Sequence, residues 1–172
     1  MIGAVRAAAL VFVATLVHVS ALGGADVGGV APNALLVAVV LVAWHRGSLA
    51  GAWAGFAAGL LLDTVTLGEL GVTSLLLLLV GYWAGRYAET TGRGRAFGPY
   101  LAVLFLGVAH GVVASGLAAL LGESVDAGGA VISAVLAALL NTALAVVLHR
   151  PIRWALGRPG RETGSQEIEV VG

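Results

Sequence analysis

Residues 44–86 read WHRGSLAGAWAGFAAGLLLDTVTLGELGVTSLLLLLVGYWAGR, and this stretch decides the fold. Two apolar runs, each near the ~20 residues that a membrane-crossing helix needs, lie between Arg46 and Arg86. The only charges separating them are acidic, Asp63 and Glu69. Cytoplasmic loops retain arginine because its translocation is costly, so the two arginine-bearing ends belong on one side and the acidic turn on the other. The segment therefore predicts a hairpin that leaves the cytoplasm, turns around Leu67–Gly71 and returns; the two glycines there suit turn geometry.

Working outward, the same alternation covers the whole chain. Upstream lie Arg6 and then a gap holding only Asp26. Downstream, Arg93 and Arg95 join Arg86, Glu123 and Asp126 follow, and Arg150, Arg153, Arg158 and Arg161 close the series. All nine cations are arginines. The pattern predicts an all-α integral membrane protein, a polytopic bundle of six transmembrane helices near 4–22, 28–45, 48–67, 70–88, 98–121 and 129–149. Both termini are expected in the cytoplasm. Trp44, Trp83 and Trp154 stand beside Arg46, Arg86 and Arg153, where an interfacial aromatic belt is expected. Residues 1–150 form the six-span domain. Residues 151–172 form a basic juxtamembrane segment, whose arginines attract anionic lipid headgroups, followed by a polar tail expected to be disordered.

Composition agrees. The chain is 59% hydrophobic and 10% charged, with a mean hydropathy of +1.01, whereas a soluble domain carries about 25% charged residues. No gap is long enough for a soluble domain. Zero net charge argues against nucleic acid as a partner, and the lack of cysteine excludes thiolate chemistry and disulfides. The first run has the look of a secretory leader, with Arg6, an apolar stretch to Val19 and small residues at Ala21 and Gly23. It continues to Leu22, and the charge alternation is kept only if it is retained, so it is expected to stay. The second run is short, with Pro32-Asn33 at its entrance. Proline suits the first turn of a helix, and a broken or re-entrant segment is the other reading.

Polar groups inside apolar runs are the candidates for function. Gly51, Gly55, Gly59 and Asp63 are spaced by four, which places them along one helix face. Overlapping G-x-x-x-G steps let another helix approach closely; that helix is either a neighbour in the same chain or a partner protein's. Asp63 needs a partner, and backbone N–H groups at a helix start, Asn33, His18 or a second protein are the options. His110 and Asn141 read as helix–helix hydrogen-bonding residues; His18 and His149 lie near boundaries. Glu123 and Asp126 read as a solvated outer loop. There is no G-x-S-x-G elbow, no H-E-x-x-H pair and no phosphate loop ending in lysine. No catalytic residue, cofactor or metal site is expected, and the chain reads as a non-enzyme.

The stretch from Pro32 to Arg86 resembles the MreD family of rod shape-determining membrane proteins. The residues that carry the resemblance are Pro32 and Asn33, the run Gly51, Gly55, Phe56, Gly59, Leu60 and Asp63, and the pair Leu70 and Gly71. Asn33 stands where aspartate is the more frequent residue. The resemblance implies binding to a single-span protein of the MreC kind. Through it, MreB filaments would be coupled to the glycosyltransferase RodA and a class B penicillin-binding protein, hence to peptidoglycan synthesis and cell shape. On this reading the Gly51–Gly55–Gly59–Asp63 face receives a partner's transmembrane helix. Leucine at Gly55 and Gly59 is expected to abolish that complex and leave the topology intact. The rival is the substrate-binding component of an energy-coupling-factor vitamin transporter, similar in architecture. That function needs an outward pocket of aromatic and polar groups, and with 6% aromatics and tryptophans beside the arginines this chain offers little for one.

Overall fold

The computed structural model describes residues 13–15, 30–66 and 71–156. The first predicted span apart from 13–15, His18, the turn residues 67–70 with Leu70, and the tail from 157 lie outside the described residues. Among the described residues the chain is all-helical. Residues 13–15 are helical, and five longer helices follow: α1 (Ala34–Arg46), α2 (Ser48–Thr66), α3 (Val72–Thr91), α4 (Gly98–Leu120) and α5 (Ala127–Leu156). Three of them, α2, α4 and α5, are long and apolar enough to cross a membrane by length and composition. α3 is 20 residues long, and its last turns carry Arg86 and Glu89.

α1 occupies the centre and touches each of the other four. Its sequence ALLVAVVLVAWHR is apolar around the full circumference until the last two residues, which is the signature of a helix enclosed on all sides. Leu35 to Trp44 are all at most 1% exposed. At 13 residues the helix is roughly 20 Å long, against about 30 Å of hydrocarbon. It is therefore half to two-thirds of a span, and the continuous run expected over 28–45 is replaced by non-helical backbone at 30–33. Pro32 precedes the cap residue instead of entering the first turn.

Irregular backbone at membrane depth is tolerated only where protein satisfies its polar groups. Here the Asn33 side chain caps α1, its Oδ1 accepting from Leu36 N at 2.9 Å. The Asn33 N–H donates to Asn141 Oδ1 on α5 at 2.6 Å, and Asn141 is 2% exposed. Each tie contributes on the order of 1 kcal/mol. Capping needs only an acceptor oxygen, which asparagine and aspartate both supply, so the residue type at 33 leaves this role unchanged.

Two other expectations change. Trp44 is 1% exposed and belongs to the core, not to an interfacial belt. Its indole fills the space left by Gly98 at the start of α4 and meets Tyr87 at 5.8 Å. Trp83 and Trp154 are 57% and 86% exposed. The last helix runs to Leu156, past the domain boundary expected at 150 and through Pro151. Ile152 and Leu156 are buried, and Arg46 Nη2 donates to the Leu156 carbonyl at 2.9 Å, so packing carries the helix beyond the proline.

Candidate functional site

The glycine stripe and Asp63 are brought together as predicted, and the helix they receive is α3 of the same chain. A Cβ on Gly51 would strike the Gly81 carbonyl, one on Gly55 the Leu77 carbonyl and one on Gly59 the Ser74 backbone. The approach is backbone to backbone, which only residues without side chains permit. α3 answers with its own small residues. A Cβ on Gly81 would meet the Gly51 carbonyl, and one on Gly85 the backbone of Gly47 and Ser48. The partner stripe was legible as a second G-x-x-x-G, GYWAG at 81–85, and went unread. α3 fills this face in the folded chain, so of the two occupants considered the neighbour in the same chain is the one present.

Asp63 is 2% exposed near the end of α2. Its Oδ2 accepts from Gly71 N at 2.9 Å, from Ser74 N at 3.3 Å and from Ser74 Oγ at 3.1 Å. These are the free amides of the first turn of α3, where a carboxylate is favoured by both hydrogen bonding and the helix dipole. Of the partners considered, the helix start is the one present. Gly71 meets two demands there: its φ of +100° lies in the left-handed region, and its N–H must point back at Asp63.

The opposite end of the pair has a matching arrangement. Glu89, late in α3, accepts from Ser48 N at 2.8 Å and from Ser48 Oγ at 3.1 Å, at the first residue of α2. Arg86 Nη1 stands 3.7 Å from its other oxygen. Each helix thus ends on a carboxylate that caps the start of its neighbour. Glu89 lies just beyond the span expected over 70–88, and this role was not foreseen there; the signal was Ser48 directly after a helix-ending glycine, an N-cap residue type.

The Ser48 N–H, with its hydroxyl and Arg86, holds the Glu89 carboxyl below the usual carboxylate range, against the opposing effect of burial. A depressed carboxylate stabilises the fold above its unfolded pKa of about 4.3 and loses that contribution as pH falls through the lower folded value. The thermal stability advantage of the wild type over Glu89→Gln should therefore be constant from pH 8 to 5 and close below about pH 4. Melting curves in detergent across that range check it.

The remaining polar groups serve packing. Tyr100 Oη and His149 Nδ1 are 2.9 Å apart, and His149 stacks on His45 at 5.6 Å. Asp126 caps α5 through Gly128 N and Gly129 N, a structural role within the expected acidic loop. His110 Nε2 is buried without a partner. Among the described residues no three His, Asp or Glu side chains gather as a metal site. Two motif residues face away from this interior: Phe56 and Leu60 are 39% and 42% exposed.

These features define a helical membrane protein whose deep polar groups tie its own helices together. The model of the family described as rod shape-determining protein MreD matches residues 3–156, ending where α5 ends. The chain belongs to the MreD family, a family of shape-determining membrane proteins. No curated protein matches the chain, and no solved structure does.

Proposed function

We propose that this chain is a non-enzymatic scaffold of the cell-elongation complex. It has six spans with both termini in the cytoplasm, and it binds an MreC-like single-span protein within the bacterial inner membrane. Through that partner it couples MreB filaments to peptidoglycan synthesis by RodA and a class B penicillin-binding protein. Family membership carries this reading, and the alternation of arginine-bearing and acidic gaps supports the topology. For docking, the outward motif residues replace the glycine stripe. Phe56 and Leu60 lie beside Trp53, which is 67% exposed and packs edge-on against Phe56 at 6.3 Å. With Leu49 and Leu78 these aromatics line a shallow apolar depression of about 350 Å³, a shape that suits the ridge of another helix.

The experiment is co-purification from the native host in mild detergent. The wild type is expected to bring down a single-span coiled-coil protein together with cell-wall synthases. Phe56→Ala with Leu60→Ala should reduce that recovery by roughly tenfold or more, the loss typical of central anchor residues, while leaving the melting temperature unchanged. Full recovery with the double variant would remove the docking face from consideration. Recovery of ABC-type ATPases with a membrane coupling subunit would instead favour the vitamin-transporter reading. The described cavities give that reading little support, being lined almost wholly by apolar side chains.

A further inference from the structure

α2 and α3 are sealed along their length, and α3 and α4 are not. Between them run two apolar cavities of about 210 and 230 Å³. Both are lined by Trp83 of α3 and Leu106 of α4, so they form one groove open to the side. Along α3 the lining runs from Tyr87 to Leu76, eleven residues or roughly 16 Å. One leaflet of a bilayer is about 15 Å of hydrocarbon. The groove is therefore one acyl chain deep, from the arginine-bearing end of the bundle to the middle.

The charge at its mouth is set by topology. The loop that joins α3 to α4 closes this end of the groove, and it carries Arg93 and Arg95. Arg86 lies on the last turns of α3 beside Tyr87, with 56% of its side chain exposed. The single acid nearby is Glu89, which is held by Ser48. Arg93 reaches back over Gly47, Arg86 stands 3.7 Å from Glu89 Oε2, and Arg95 lies on the loop between the two helices. A chain-shaped apolar slot whose headgroup end holds three arginines against one carboxylate fits one kind of occupant.

We infer that the α3–α4 groove is a binding site for an anionic phospholipid, with one acyl chain along Trp83 and Leu106 and the phosphate-bearing headgroup on Arg86 and Arg95. Each arginine near the headgroups favours an anionic lipid by roughly fivefold. The site is independent of which protein docks on Phe56 and Leu60, since it lies on a different helix pair.

Trp83 is a built-in reporter. In a Trp53→Phe, Trp154→Phe background the other tryptophan is Trp44, which is buried. Fluorescence of Trp83 is measured in vesicles containing either brominated phosphatidylglycerol or brominated phosphatidylcholine. Phosphatidylglycerol is expected to bind between about fivefold and 25-fold more tightly, the lower figure applying where Glu89 offsets Arg86, and R86Q with R95Q should bring the ratio to one. Ala109→Phe, at an exposed position lining the groove, should lower quenching by both lipids. Equal quenching by the two lipids in the wild type, or a preference that survives R86Q/R95Q, would overturn the assignment.

Discussion

Gly55→Leu unfolds the α2–α3 pair. The added Cβ alone would lie on the Leu77 carbonyl and against the Leu78 amide. Both are backbone atoms of a helix, so no rotamer change relieves the contact and the helices must separate. Overpacking of a well-filled interior costs about 1–3 kcal/mol where side chains can shift; here the upper end of that range is the minimum, and Gly55→Ala already incurs much of it. Separation would also strip Asp63 and Glu89 of their donors. The expected result is a melting temperature in detergent lower by roughly 6–12 °C or more, from about 3 kcal/mol at roughly 2–4 °C per kcal/mol for a chain of this size. Loss of the partner complex would follow from that collapse. A Gly55→Leu protein with wild-type melting would show that α3 does not lie on this face, and would return the stripe to the partner. Phe56 and Leu60, exposed on the same helix, provide the comparison that separates docking from folding.

Asp63→Ala is expected to cost about 3 kcal/mol, because it leaves two amides and a hydroxyl without an acceptor in an apolar setting. Asp63→Asn keeps one acceptor oxygen and loses the charge, so roughly a third of that cost is expected. The ordering alanine, asparagine, wild type in melting temperature is the check, and it belongs to the isolated protein. A docking role would instead leave the isolated protein unchanged and lower only partner recovery. Ser74→Ala removes the hydroxyl and leaves the Ser74 amide in place, so its effect should be the smallest of the series.

Much of the helical layout was legible because chain direction and charge fix it. The ends of α2 and α4 fall within a residue of their predicted spans, since Gly47 and Ser48, the acidic turn and Gly98-Pro99 are strong local signals. The shortness of α1 was legible only in the second of two readings, a broken segment at Pro32-Asn33. Hydropathy registers a run of apolar residues whether or not it is helical throughout, and the tie from Asn33 to Asn141 spans 108 positions. Periodicity correctly placed Gly51, Gly55, Gly59 and Asp63 on one face, but it does not name what fills the face. The tight turn to α3 and the second small-residue repeat at Gly81 and Gly85 held that answer. Trp44 was misplaced because a tryptophan beside an arginine looks interfacial, and the vacancy at Gly98 that accepts it lies 54 residues away in sequence.

The three polar ties also have an order in time. Residues enter the membrane from the N-terminus onward, so a tie becomes possible only when its later member arrives. Asp63 waits 8 to 11 residues for Gly71 and Ser74. The most buried carboxylate among the described residues is thus paired almost as soon as the first turn of α3 forms, and α2 and α3 can insert as a finished hairpin. Ser48 waits 41 residues for Glu89, until α3 is nearly complete. Asn33 waits for Asn141 until the last helix enters, so the start of α1 is exposed through most of synthesis. α1 becomes enclosed last although it precedes the other four, and a chain truncated before Asn141 should be recognised by membrane quality control through unpaired groups, among them the Asn33 amide and the Arg46 guanidinium.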